Sequence, residues 1–247
     1  MATSTGAVAP RAGSIAPAST VHPDRTFYSA MAVAIGLTSL AGFGRTFYLR
    51  SVSGTSLSPL LQVHGAVFTA WLVLFIVQAR LVAARRVRLH RQLGVAGAVL
   101  AALVLVVGLA AAVDAARRGF APPGAPPPLV FFAIPVGAVT TFAILVAAAL
   151  YWRRRPDVHK RLMLMGTISV LTPAIARLPG IAGSAPPVFF AVNDLFVLAC
   201  LVYDWKVLGR IHRATAWGAA VFVLSQPVRI LIGFSAPWLA FARWITG

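Results

Sequence analysis

Apolar runs of about twenty residues recur along the chain after residue 25, broken by short charged or Pro/Gly-rich stretches. A membrane-crossing helix needs roughly 17 to 25 predominantly apolar residues. Seven segments meet that requirement: 26–48, 59–84, 93–115, 128–152, 162–183, 187–205 and 215–236. Their separators are Arg85-Arg86-Val87-Arg88, Pro122-Pro123-Gly124 with Pro126-Pro127-Pro128, Arg153-Arg154-Arg155-Pro156, residues 184–187 and residues 206–213. Alternating segments of the kind that build barrels are absent, so the spans are expected to be helical. The pattern predicts an all-α fold, a seven-transmembrane-helix bundle over residues 26–236. Residues 1–25, rich in Ala, Ser, Thr and Pro, read as a disordered tail. They hold no apolar stretch to form a signal-peptide core, so the first span is expected to stay as an uncleaved anchor. Residues 237–247 read as a short outer tail. Pro135, Pro173, Pro179 and Pro227 fall within spans and are expected to kink them.

Composition agrees with this pattern: 59% of the 247 residues are apolar, 11% are charged, and the mean hydropathy is +0.84. A soluble domain is about a quarter charged, so a soluble globular enzyme is excluded. The charge is lopsided, with 22 basic residues against five acidic ones and a formal net charge of +17. In a soluble protein that balance would suggest nucleic acid. Here the arginines fall in short loops, where they meet anionic lipid headgroups, and no nucleic-acid partner is expected. Twelve basic residues lie in the 2–3, 4–5 and 6–7 connections and four in the opposite ones. The positive-inside rule then puts the N-terminus in the cytoplasm and the C-terminus outside, in a bacterial inner membrane. The seventh span has no lysine, which excludes a retinal Schiff base. Cys200 is the single cysteine, so no intrachain disulfide can form.

Four of the five histidines, His22, His90, His159 and His212, stand just before odd-numbered spans, a weak internal repeat. A helix N-terminus disfavours imidazolium and favours the neutral, metal-ligating imidazole. His90, His159 and His212 share one depth, and Asp204 ends the sixth span nearby. Three histidines with a carboxylate or water would suit Zn, Fe or Cu, and paired imidazoles at that surface would suit haem. The plainer role for the same residues is interfacial, binding lipid phosphate or capping helices.

A second polar group lies towards the other side of the membrane. His64, Trp71 and Gln78 follow at steps of seven on one face of the second span. Arg177, Asn193, Asp194, Gln226 and Arg229 fall at similar depth, with Arg45 ending the first span. Charges facing lipid are unfavourable, so these residues are expected to converge inside the bundle, Arg177 and Arg229 competing for Asp194. Such a cavity, formed by His64, Trp71, Gln78, Arg177, Asp194 and Arg229, could hold an anionic or quinone-like ligand. An ion-pair network that only fixes helix register is the structural alternative.

Val63-His64-Gly65, Leu89-His90-Arg91-Gln92-Leu93-Gly94, Arg155-Pro156-Asp157-Val158-His159-Lys160-Arg161-Leu162-Met163, and Arg210-Ile211-His212-Arg213-Ala214-Thr215 with Ser225-Gln226-Pro227 form a set of motifs. Together they resemble a widespread group of uncharacterised bacterial multi-pass proteins. The His-Arg and His-Lys segments also resemble, more distantly, small membrane proteins of cytochrome c oxidase assembly. That second resemblance implies haem or copper handling and carries over to His64, His90 and His159. The leading expectation is a metal- or haem-binding membrane protein with a redox or metallocentre-assembly role. The rivals are a transporter or small-ligand binding protein using the outer cavity, and a metal-dependent membrane enzyme acting on lipid.

Overall fold

The computed structural model describes residues 23–54 and 56–247. Residues 1–22, including His22 and most of the expected tail, lie outside the described residues. Eleven helical elements follow, all described here by their own bounds: α1 Pro23–Phe43, α2 Arg50–Ser53, α3 Pro59–Ala83, α4 Val87–Arg117, α5 Pro128–Phe131, α6 Ala133–Tyr151, α7 Pro156–Ser169, α8 Thr172–Ile175, α9 Pro186–Leu208, α10 Arg213–Phe234 and α11 Ala236–Thr246. A wide π turn over Gly44–Tyr48 extends α1. Six helical stretches, Pro23–Tyr48, Pro59–Ala83, Val87–Arg117, Pro128–Tyr151, Pro186–Leu208 and Arg213–Phe234, are long and apolar enough to cross a membrane. The protein is therefore all-helical among the described residues and membrane-embedded, with several passes.

The expected span over 162–183 is not one continuous helix. α7 ends at Ser169, and a single turn, α8, follows. Pro173 has no amide proton and cannot continue the ladder. Side chains brace the break: Asn193 Nδ2 donates to Ile168 O at 3.2 Å and to the Thr172 hydroxyl at 2.7 Å, and Arg177 donates to Pro173 O at 2.7 Å. An interrupted helix at membrane depth is stable only with such partners. Pro227, by contrast, sits inside an unbroken α10.

This broken segment is the centre of the bundle. Arg161, Leu162 and the run Leu164–Ser169 are all buried, as expected for a helix that is enclosed on every side. α7 packs against α6, α10, α9 and α1. Small residues allow the close approach: a Cβ on Gly166 would lie 2.9 Å from Val146 Cγ2, and one on Gly218 would lie 3.0 Å from Met165 Cγ. α3 is peripheral, with Trp71 its one buried residue, and Val63, Val73, Val77 and Val82 exposed as lipid-facing positions would be. α11 is amphipathic, packing Trp238, Ala242 and Ile245 against Ala112, Ala116 and Phe132, with Trp238 Nε1 donating to Leu129 O at 2.8 Å.

Gly42 joins α1 to α8, where its Cα faces the Ala174 backbone; a Cβ there would come within 2.7 Å of Ala174 C and 2.8 Å of Ala174 Cα. Backbone cannot swing aside as a side-chain tip can. Gly42→Val is therefore expected to destabilise the fold by about 1–3 kcal/mol, measured by SDS-induced unfolding in detergent. Wild-type stability in that variant would contradict the packing described here.

Candidate functional site

The helix ends carrying the expected histidine cluster meet in a polar knot. α7 opens with Pro156 at its first position and Asp157 in its first turn, both favourable at a helix start. One turn later Arg161 reaches Asp204 at the end of α9. Its Nε donates to the two carboxylate oxygens at 3.1 and 3.2 Å, one terminal nitrogen donates at 2.5 Å, and the other donates to Asp157 O at 2.9 Å. Arg161 is 5% exposed and Asp204 1%. Asp204 also accepts from the His212 amide at 3.1 Å and from the Thr215 hydroxyl. A carboxylate offers about four lone-pair sites, and these are taken. Asp204 thus ties α7, α9 and α10 together and has no site left for a metal.

His212 is likewise engaged. It is the N-cap of α10, its Nδ1 accepting from the Ala214 amide at 3.1 Å. The ring proton therefore resides on Nε2, which donates to Asp157 Oδ2 at 3.2 Å. Burial acts against the Asp157 charge, but hydrogen bonds from its own amide, from His212 and from the Val158 amide hold the carboxyl below its ordinary range. Nearby, Asp24 at the start of α1 meets Lys160 Nζ at 2.7 Å and accepts from the Tyr203 hydroxyl at 2.8 Å, while Phe27 stacks on Tyr203 at 3.8 Å between centroids.

His90 and His159 take no part in those bonds and lie beside each other. Their ring centroids are 6.2 Å apart with planes at 78°. His159 Nδ1 lies 2.9 Å from Ala149 O; a carbonyl accepts, so this nitrogen carries the proton and Nε2 keeps a free lone pair. His90 Nδ1 is buried with no hydrogen-bond partner. Two imidazoles bonded to one ion at metal–nitrogen lengths of about 2.0–2.1 Å hold their centroids about 6 Å apart when they lie nearly opposite each other across it, and about 5 Å apart in a tetrahedral arrangement. Among the described residues no third His, Cys, Asp or Glu completes a larger metal-ligating group. The expected set of His90, His159, His212 and Asp204 is thus divided, with two imidazoles open to a ligand and two groups occupied by the fold.

The α3 stripe holds together as expected. Trp71 is 3% exposed, edge-on to Phe142 at 5.0 Å and packed with Ala101 and Val104 of α4. His64 stacks on Phe68 at 4.3 Å. Gln78 Nε2 donates to His90 O at 3.2 Å, which links the stripe to the histidine pair. Each of the three carries a buried polar atom without a partner: His64 Nδ1, Trp71 Nε1 and Gln78 Oε1. Buried polar atoms are nearly always bonded, so this row is the part of α3 where hydrogen-bonding capacity is left over.

The outer charges do not converge as the sequence leads one to expect. Asp194 accepts from Gln226 Nε2 at 2.6 Å and pairs with neither arginine among the described residues. Arg177 is exposed, with its guanidinium 4.8 Å over the Phe43 ring; the break at Pro173 draws it to a carbonyl and out of the interior. Arg45 is exposed as well. Only Arg229 is enclosed, at 3% exposure, crossing the Gly137 backbone of α6 and donating to Thr141 Oγ1 at 3.1 Å and Ser225 Oγ at 2.7 Å. Its Nε and remaining terminal nitrogen have no partner.

Arg161, Thr215 and Thr141 were not legible as site residues. Arg161 sits in a basic block that reads as a cytoplasmic loop. The signal that could have separated it is the shortage of acids: Asp204 needs a partner at its own depth, and Arg161 stands at the edge of the neighbouring span, next to its first residue. Comparison with known proteins gives no match, whether to a family model, a curated protein or a solved structure.

Proposed function

We propose that this protein is a seven-pass protein of the bacterial inner membrane that binds a transition-metal ion between His90 and His159, in a redox or metallocentre-assembly role. The observation that carries the reading is the adjacent pair of imidazole rings, with centroids 6.2 Å apart and His90 Nδ1 buried without a partner. The bond from His159 to Ala149 O supports it further, because metal-ligating histidines commonly donate their second N–H to a backbone carbonyl. Imidazole donors suit Zn, Cu or Fe. Two protein ligands leave coordination positions open, which favours passing an ion onward over holding it as a structural centre. The seven-pass arrangement is supported by the broken segment α7–α8, which runs against α9 from the Arg161–Asp204 end to the Asn193–Thr172 contact. The arginine asymmetry supports a cytoplasmic N-terminus and, with it, a cytoplasmic side for the histidine pair. Elemental analysis and an absorption spectrum of the detergent-purified chain, loaded with Zn or Cu and washed, test the reading. About one ion per chain without a Soret band is expected. A chain that stays metal-free would overturn it, and a Soret band would replace the ion with haem.

Arg229 favours a second reading, an anionic or quinone-like ligand in the outer half. A buried guanidinium with two unpartnered donors is strongly unfavourable in a membrane interior unless an acceptor meets it. A short-chain ubiquinone analogue is then expected to stabilise the wild type by about 2.7 kcal/mol at a hundredfold excess over its Kd. Arg229→Met should show no such gain. Equal stabilisation of both proteins would remove Arg229 from the site.

A further inference from the structure

A groove lies on the bundle surface between α1 and the end of α3, lined by none of His90, His159 and Arg229. It has a volume of about 750 Å³ and is lined by Arg25, Thr26, Ser29, Val33, Leu37, Arg80 and Arg85, among others. Its lining is sorted by depth. Arg25, Thr26 and Ser29 belong to the first two turns of α1, and Arg80 and Arg85 to the end of α3 and the turn after it. Below them, Ala30, Val33, Ala34 and Leu37 continue as one helix stripe. From Arg25 to Leu37 the helix rises roughly 18 Å, close to the roughly 15 Å half-thickness of a bilayer core. The groove therefore has a cationic mouth and an apolar floor one leaflet deep.

The mouth lacks an internal partner. Among the described residues no carboxylate lies within salt-bridge reach of Arg25, Arg80 or Arg85. Ser29 Oγ is buried and unpartnered beside them. Arg85 is the one non-glycine residue with positive φ among those described, at 60°, in the turn that brings it to the groove. A second apolar furrow of about 320 Å³, formed by Ile76, Val77, Leu81 and Ala84 with Arg86 at its edge, opens along Arg80 as well. Arg80 lines both.

We infer that this groove is a binding site for one anionic diacyl phospholipid of the inner leaflet. Its phosphate would meet Arg25, Arg80 and Arg85, with one acyl chain in the α1–α3 groove and the other in the furrow beside Arg80. Charge complementarity selects an anionic occupant. It argues against residues 1–22 as a self-occupant, since that stretch carries Arg11 and no acid. The paired apolar furrows select a lipid over a free anion. The site shares no residue with the histidine pair, and its place in the inner leaflet rests on the cytoplasmic N-terminus proposed above.

Native mass spectrometry of the full chain in detergent, with phosphatidylglycerol or phosphatidylcholine of matched chains, tests this. The wild type is expected to retain phosphatidylglycerol in preference to phosphatidylcholine, and Arg80→Ala/Arg85→Ala to lose that retention about tenfold or more. Leu37→Trp, which fills the groove without changing charge, should also lower retention. Arg153→Ala/Arg154→Ala, at the same end of the bundle but outside the groove, should leave it unchanged. Equal loss in both arginine pairs would reduce the effect to diffuse charge and overturn the site. So would unchanged retention in Arg80→Ala/Arg85→Ala, displacement of the lipid by millimolar inorganic phosphate, or increased lipid uptake after removal of residues 1–22.

Discussion

Arg161→Ala is expected to destabilise the protein by about 3–5 kcal/mol, the largest single effect outside the apolar core. The reason is what remains behind. Asp204 is 1% exposed, and without the guanidinium its charge would sit among α7, α9 and α10 with only the His212 amide and the Thr215 hydroxyl to hold it. Asp204→Ala should have a similar effect by leaving Arg161 unpaired. The double variant Arg161→Met/Asp204→Leu should recover most of the loss, since two apolar side chains leave no buried charge. It should still fall below wild type by about 1–3 kcal/mol, because the His212 amide and Thr215 hydroxyl lose their acceptor. SDS-induced unfolding of wild type, Arg161→Met, Asp204→Leu and the double variant closes the cycle and gives the coupling. Additive single effects would show that the pair does not act as a unit.

The histidine variants should separate into two classes. His90→Ala and His159→Ala would each remove one of the two proposed metal ligands, and metal affinity is expected to fall by at least ~100-fold, beyond what loss of an outer-shell partner produces. His212→Ala should leave affinity within a few-fold of wild type and instead lower stability by about 1 kcal/mol, as the loss of an N-cap does. His64→Ala, on the outer part of the α3 stripe, should not alter metal binding at the histidine pair. Isothermal titration with Zn or Cu distinguishes the classes. A uniform loss in His90, His159 and His212 variants would restore the three-histidine cluster that their common depth suggests.

The long apolar helices were readable in the sequence, and their lateral contacts were not. Span length follows from the bilayer thickness, so the six long helices fall close to their expected bounds. The fifth segment broke because Pro173 interrupts its hydrogen bonding, and the partners that make the break tolerable, Asn193 and Arg177, come from α9 and from just beyond α8. Hydropathy carries no trace of either contact. The same holds for the histidines. His90, His159 and His212 were placed at one level by their positions before three spans. Which rings meet depends on how each helix is rotated, and whether a ring is free depends on local bonds such as the His212 cap. The α3 stripe was legible because residues seven apart on a helix share a face whatever surrounds them. The outer charges were misjudged for a related reason. Arg177 satisfies a carbonyl that a continuous helix would not have exposed.

The most direct test of the central claim is X-ray absorption at the metal edge of the Zn- or Cu-loaded, detergent-purified protein. The account predicts two imidazole nitrogens at about 2.0–2.1 Å, with any remaining ligands light and non-imidazole. It also predicts that the imidazole signal is lost in His90→Ala and His159→Ala and retained in His212→Ala. A shell without imidazole scattering, or the four-nitrogen signature of a porphyrin, would contradict it.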